Sequence, residues 1–182
     1  MVWLRLIGTF LVAAAMMTAA SAQAAPIKIV AIGASNTAGW GVGAANAYPA
    51  RLQALLKAKG YNAEVINAGR SFDTTGGMLN RLAGVVPSGT SIVIVQPGGN
   101  DLRFFGSLEG RAKNLAEIRR RLATRHIKTI IFENSVVTAG HYQWDGIHFT
   151  REGHKQAAAY LERQVIALLG GEKPAAPAPQ PH

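Results

Sequence analysis

The chain has 182 residues, no cysteine and a formal net charge of +9. That length suits one domain with a substantial core, and the lack of cysteine excludes disulfides, a thiolate nucleophile and a cysteine-bound metal. The positive charge favours weak association with anionic surfaces such as lipid head groups or acidic polymers. Nucleic acid is not an expected partner, because the main basic stretch, RAKNLAEIRRRLATRHIK, interleaves no Phe, Trp or Tyr with its basic residues.

Taken in chain order, Arg5 precedes an apolar run over 6–20, and small residues end in Ala22-Gln23-Ala24. A charged start, a short apolar stretch and an A-x-A site predict a signal peptide over 1–24, and hence a periplasmic or secreted protein. The run is short for a membrane span of roughly 20 residues.

Residues 27–32 form a β-branched apolar run that reads as a buried strand. Leu52, Leu55 and Leu56 have helical spacing within 48–59, and Gly60 ends that helix. Residues 63–66 read as a second strand, 74–82 as a short helix and 91–95 as a third strand. The basic stretch RAKNLAEIRRRLATRHIK carries Leu115, Ile118 and Leu122 at helical spacing, so its arginines point to solvent. A fourth strand is expected over 129–132. Thr150 caps a last helix that runs to about Leu169, with Glu152 in its positive first turn. The proline- and alanine-rich tail 170–182 has no periodicity with which to pack a core. The expected domain is therefore 25–169. Strands alternating with helices imply an α/β fold, a parallel sheet covered on both faces. Ligands bind such sheets beyond the carboxyl ends of the strands.

The loop after the first strand, GASNTAGWGVG, suits either a phosphate cradle or a nucleophile. A phosphate loop of the Walker type needs a lysine followed by Ser or Thr at the helix start, and none is near Gly33. A dinucleotide loop needs G-x-G-x-x-G and an acid closing the second strand. Here Gly39, Gly41 and Gly43 are spaced by two, and Asn67 stands at the acid's position. A serine nucleophile needs a base, a group to orient that base, and donors for an oxyanion. The segment DGIHF offers Asp145 and His148. NAG presents the backbone of Gly69, and GGND presents the amide of Asn100. Each has a plainer reading as well. Asp145 and His148 suit a turn and its packing, Gly69 suits a turn, and Asn100-Asp101 suits a helix cap.

Taken together and in order, these blocks resemble the consensus blocks of the SGNH (GDSL) hydrolase family, most of all its bacterial periplasmic thioesterases, arylesterases and lysophospholipases. The resemblance implies a three-layer, flavodoxin-like α/β/α fold and an esterase or thioesterase without metal or other cofactor. It implies Ser35 as nucleophile, His148 as base and Asp145 as its partner. The oxyanion hole it implies is made by Ser35, Gly69 and Asn100. Small-molecule or lipid esters are the implied substrates. Trp40, Phe104, Phe105, Tyr142 and Trp144 flank these loops and are candidates for an acyl or aryl pocket, with Trp40, Phe104 and Trp144 foremost. His126 and His141 have no motif around them, and His154 matches the family's helix start without an assignable catalytic role.

Three features depart from the family. Ala34 stands where an aspartate usually supports the loops. The span from Asn100 to Asp145 has room for one helix and one strand, which predicts a sheet of about four strands and an open cleft. The tail has no counterpart. The short span suits a carbohydrate O-acetyl esterase as a first alternative. Together with Ala34 it motivates a second, a binding protein with a decayed site.

Overall fold

The computed structural model describes residues 25–104 and 106–171. The expected signal peptide, Phe105 and residues 172–182 of the expected tail lie outside the described residues. Four strands, β1 (Ile27–Gly33), β2 (Ala63–Gly69), β3 (Thr90–Gln96) and β4 (Lys128–Ile131), form one parallel sheet in the order β2-β1-β3-β4. The helices are α1 (Ser35–Ala38), α2 (Tyr48–Ala58), α3 (Thr75–Val85), α4 (Asn100–Arg103), α5 (Leu108–Ala123) and α6 (Arg151–Leu168).

The central strands are apolar throughout because both faces of the sheet are covered. Ile29 to Ile32 and Ile92 to Val95 are all fully buried. Ile29, Ala31, Ile92 and Ile94 face α2 and α6, meeting Leu52, Leu56, Leu161 and Val165. Val30, Ile32, Val93 and Val95 face α3 and α5, meeting Met78, Leu82, Ile118 and Leu122. This is the three-layer α/β/α arrangement implied by the alternation of strands and helices. Each buried Leu or Ile contributes about 1.5–3 kcal/mol. The helices start where their caps allow: Thr74, Ser107 and Thr150 accept the amides of Gly77, Gly110 and Gly153.

Each strand differs by a residue or more from the sequence reading, and two ends have a clear reason. β2 continues to Gly69 because Asn67, Ala68 and Gly69 stay in register with Ala31, Ile32 and Gly33 of β1. Phe132 lies beyond β4, fully buried between the rings of Tyr48 and Phe149 at 5.3 and 6.4 Å. Between α4 and Asp145 the chain holds α5, β4 and two single 3₁₀ turns, Asn134–Val136 and Ala139–His141. The connections leave β1 and β3 in opposite directions. The crevice where such folds bind ligands therefore lies beyond Gly33 and Gln96.

Candidate active site

Ser35 is the first residue of α1, directly beyond β1. Amides in a helix's first turn have no acceptor within the helix, so the Ser35 N–H is available at the crevice. Across it, the loop between β4 and α6 brings His148 Nε2 to 2.9 Å from Ser35 Oγ. His148 Nδ1 is 2.6 Å from Asp145 Oδ2. The other oxygen of Asp145 accepts the amides of Ile147 and His148 at 2.9 and 3.0 Å. The His148 amide, then its ring, then the Ile147 amide hold the Asp145 carboxyl down to about 2. Asp145 is thus a carboxylate at neutral pH, which puts the imidazole proton on Nδ1 and leaves Nε2 to accept from the Ser35 hydroxyl.

Asn100 starts α4 beyond β3 and is buried. Its Nδ2 donates to the Asp73 carbonyl at 2.8 Å. A carboxamide has two N–H groups, so one remains for the crevice. Asn100 and Ser35 line both clefts that meet here. One is walled by Trp40, Ser71, Phe72, Arg103 and His148 and encloses about 60 Å³, room for a short acyl chain. The other carries the amide side chains of Asn36, Gln96, Asn100 and Asn134.

Gly69 is not brought to either cleft. Its amide donates to Asn67 Oδ1 at 2.9 Å. A Cβ there would lie 2.2 Å from the Ala38 nitrogen, so the glycine lets α1 cross the end of β2. The residue that does reach the cleft from the β2 loop is Phe72. It occupies the third position of a turn closed by the Asp73 amide on the Arg70 carbonyl at 3.2 Å. Its φ of 64° is the value that glycine usually takes in a type II turn. The Phe72 amide makes no hydrogen bond among the described residues. No sequence pattern marks this residue, because a phenylalanine is a poor indicator of a left-handed turn position.

The aromatic candidates separate. Trp40 stacks on the His148 ring, with centroids 5.5 Å apart and planes 25° from parallel. Its other neighbour is Phe72 at 6.0 Å, and Phe104 lies behind Phe72 at 6.4 Å. Trp144 is 96% exposed and lines neither cleft. Tyr142 is structural: its hydroxyl donates to the Asn134 carbonyl and its ring packs on Phe149. His154 is fully buried, lines neither cleft and accepts the Tyr48 amide at Nδ1. Among the described residues, no three His, Asp or Glu side chains converge as a metal site requires.

Ala34 is buried in the apolar cluster on the α3 side. The support a carboxylate would give there comes from other side chains. Asn36 donates to the Ile147 carbonyl at 3.1 Å and accepts the Phe149 amide at 2.8 Å, so it clamps both sides of His148. Arg81 donates to Asp73 at 2.7 Å and to the Gly33 carbonyl at 3.2 Å. Thr37 joins Tyr48 and Gln96 beneath α1, and Gln96 reaches Asn134.

The profile of the GDSL-like lipase/acylhydrolase family matches residues 31–168. Esterase TesA of Pseudomonas aeruginosa is 31% identical over 111 residues, which is 60% of this chain and 55% of that protein's length. A crystal structure of TesA superposes with a TM-score of 0.70 at 21% identity, covering 78% of this chain and 99% of the other. AlinE4, an SGNH-hydrolase family esterase, superposes with a TM-score of 0.56 at 26% identity, covering 88% and 87%.

Proposed function

The chain belongs to the GDSL-like lipase/acylhydrolase family, and from that premise we propose that it is a serine esterase cleaving carboxylic ester or thioester bonds of small acyl, aryl or lysophospholipid substrates. The observation that carries this is the relay from Asp145 through His148 to Ser35, at 2.6 and 2.9 Å, beside the free donors of the crevice.

Ser35 Oγ attacks the carbonyl carbon as His148 Nε2 takes its proton. Asp145 keeps the imidazole in the accepting tautomer and stabilises the imidazolium. The oxyanion is met by the Ser35 amide, the second Nδ2 hydrogen of Asn100 and the amide of Phe72, which takes the part expected of Gly69. Each donor in such a hole is worth about 3 kcal/mol. His148 then protonates the departing alcohol or thiol. Water, activated by the same nitrogen, releases the acid and restores Ser35. The substrate's apolar part packs against Trp40 and Phe72, with Phe104 behind them. Trp144 takes no part in this contact.

A second reading, a carbohydrate O-acetyl esterase using the same relay, is favoured by the small size of the cleft beside Ser35, about 60 Å³, which suits an acetyl group. A decayed binding protein is disfavoured by the intact relay. We place the active unit at 25–169, exported to the periplasm or beyond once 1–24 is removed.

The decisive experiment is labelling by a fluorophosphonate, which should modify Ser35 stoichiometrically and fail on Ser35→Ala. Folded protein that takes up no label would sink the esterase reading. Nitrophenyl esters of increasing chain length, run beside acetylated glycans, separate the two substrate classes.

A further inference from the structure

Six large apolar side chains are exposed among the described residues: Trp40, Phe72, Leu102, Phe104, Leu108 and Trp144. All six lie in segments at the carboxyl end of the sheet. Trp40 follows β1, Phe72 follows β2, and Leu102, Phe104 and Leu108 follow β3. Trp144 lies in the loop between β4 and α6. Exposed hydrophobics scattered singly need no reason, but a group of them at one end does. The clefts at Ser35 account for Trp40 and Phe72, and Phe104 packs on Phe72. Leu102, Leu108 and Trp144 line neither cleft.

The charges at this end point to the same kind of partner. Arg70, Arg103 and Arg151 are exposed and make no ion pair among the described residues. Every carboxylate at this end is engaged. Asp73 holds Arg81, Glu133 holds Arg111, Glu109 holds Lys113 and Glu152 holds Lys155. Asp101 accepts from Thr75, and Asp145 belongs to the relay. The end therefore presents free cations around an aromatic and aliphatic rim.

We propose that this end of the molecule docks on an anionic phospholipid bilayer, with the rim at head-group depth and the Ser35 cleft facing the lipid. Tryptophan and phenylalanine settle at the boundary between head groups and acyl chains, and arginines are drawn to anionic lipid. An acidic polysaccharide would match the arginines but would leave Leu102, Leu108 and Trp144 without a partner. No helix among the described residues is long and apolar enough to cross a membrane, so the docking is peripheral. The proposal goes beyond the esterase reading, and its test reads docking without hydrolysis.

The described tryptophans, Trp40 and Trp144, are both on this rim, which makes them the probe. Mature protein, cleaved after Ala24 and so without Trp3, is mixed with vesicles bearing brominated acyl chains, made of phosphatidylcholine alone or with phosphatidylglycerol. Quenching of the remaining emission is expected with the anionic vesicles and much less with the zwitterionic ones. Arg70→Gln with Arg151→Gln should raise the half-saturating lipid concentration at least tenfold, at about fivefold per arginine. Leu102→Ser with Leu108→Ser should weaken quenching at equal net charge, with far-ultraviolet circular dichroism and melting temperature unchanged as folding controls. Equal quenching by both lipids, or quenching indifferent to both double variants, overturns the proposal. Retention on dextran sulfate without quenching by any vesicle also overturns it, in favour of an acidic polymer.

Discussion

Asn36 Oδ1 accepts the amide of Phe149 at 2.8 Å across 113 residues of chain, while Asn36 Nδ2 donates to the carbonyl of Ile147 on the other side of His148. One buried carboxamide beside the nucleophile thus fixes the loop that carries the base. Asn36→Leu leaves an amide and a carbonyl unpaired in a buried setting, at about 1–3 kcal/mol for each group. Asn36→Asp keeps the acceptor but turns the donor into a negative oxygen facing a carbonyl. Small misplacement of catalytic groups costs on the order of 100-fold. Both variants should lower kcat by about 10- to 100-fold with little change in KM, and the leucine variant should also melt earlier. Steady-state kinetics beside thermal unfolding checks this. Full kcat in Asn36→Leu would mean that the loop is held without the clamp.

The relay was legible in the sequence because Ser35 directly follows the apolar run of β1, and Asp145 and His148 stand three residues apart just before the last helix, at the end of the sheet where such sites gather. Asn36 was not, because its partners are 111 and 113 residues away and asparagine suits many loops. Gly69 reads as a backbone donor in the sequence because glycine permits close approach. What approaches it is α1 rather than a ligand, and that is visible only once β2 and α1 are assembled. Phe72 is not legible because what sets it apart is its backbone, a left-handed φ of 64°. The fold class was legible from strands 27–32 and 91–95, whose burial on both faces demands continuous apolar residues. The end of β2 was not, because Asn67 and Gly69 interrupt the apolar pattern that defines a strand.

The contrast between Gly69 and Phe72 gives the second prediction. Gly69→Ala drives a methyl group into the α1 backbone, where the intended Cβ lies 2.2 Å from Ala38 N. It should destabilise the fold strongly whatever it does to catalysis. Phe72→Gly keeps the amide and relieves a left-handed conformation that costs a side-chain-bearing residue roughly 1–2 kcal/mol. The flexibility of glycine in the unfolded chain offsets part of that gain. The ring is 67% exposed, so little burial is lost. Phe72→Gly should melt at the same temperature or slightly higher, keep its kcat on an acetyl ester and show a raised KM for aryl esters. A large loss of kcat on the acetyl ester would count against a purely apolar part for the ring.

Asp145→Asn is the cleanest probe of the tautomer. The asparagine carbonyl can still accept the amides of Ile147 and His148, so the turn survives. Its Nδ2, however, presents a donor to His148 Nδ1, and the imidazole proton moves to the nitrogen that faces Ser35. Activity should fall by about 10⁴-fold, as in other relays whose carboxylate becomes an amide. Fluorophosphonate labelling should slow in parallel while the melting temperature changes little. A drop of less than tenfold would mean that Asp145 only shapes the turn.

His154 sets the pH dependence of stability. It is fully buried, its Nδ1 accepts the Tyr48 amide at 3.2 Å, and its Nε2 has no partner among the described residues. Burial, and then the charge of Arg51, lower it from 6.5 to about 4. In the unfolded chain the same imidazole takes its proton near 6.5, so between about 6.5 and 4 the unfolded state binds the extra proton and stability falls as pH falls. Above 6.5 both states are neutral and the stabilisation is whole; below 4 both are protonated and the loss is complete. The span corresponds to about 3 kcal/mol. Asp145, lowered to about 2, loses its own contribution only below the ordinary carboxylate range, so the two windows do not overlap. Urea unfolding from pH 7.5 down to 4 should show the decline. His154→Gln can still accept the Tyr48 amide but does not titrate, so its curve should be flatter by that amount. An unchanged slope in this variant would assign the acid sensitivity to other groups.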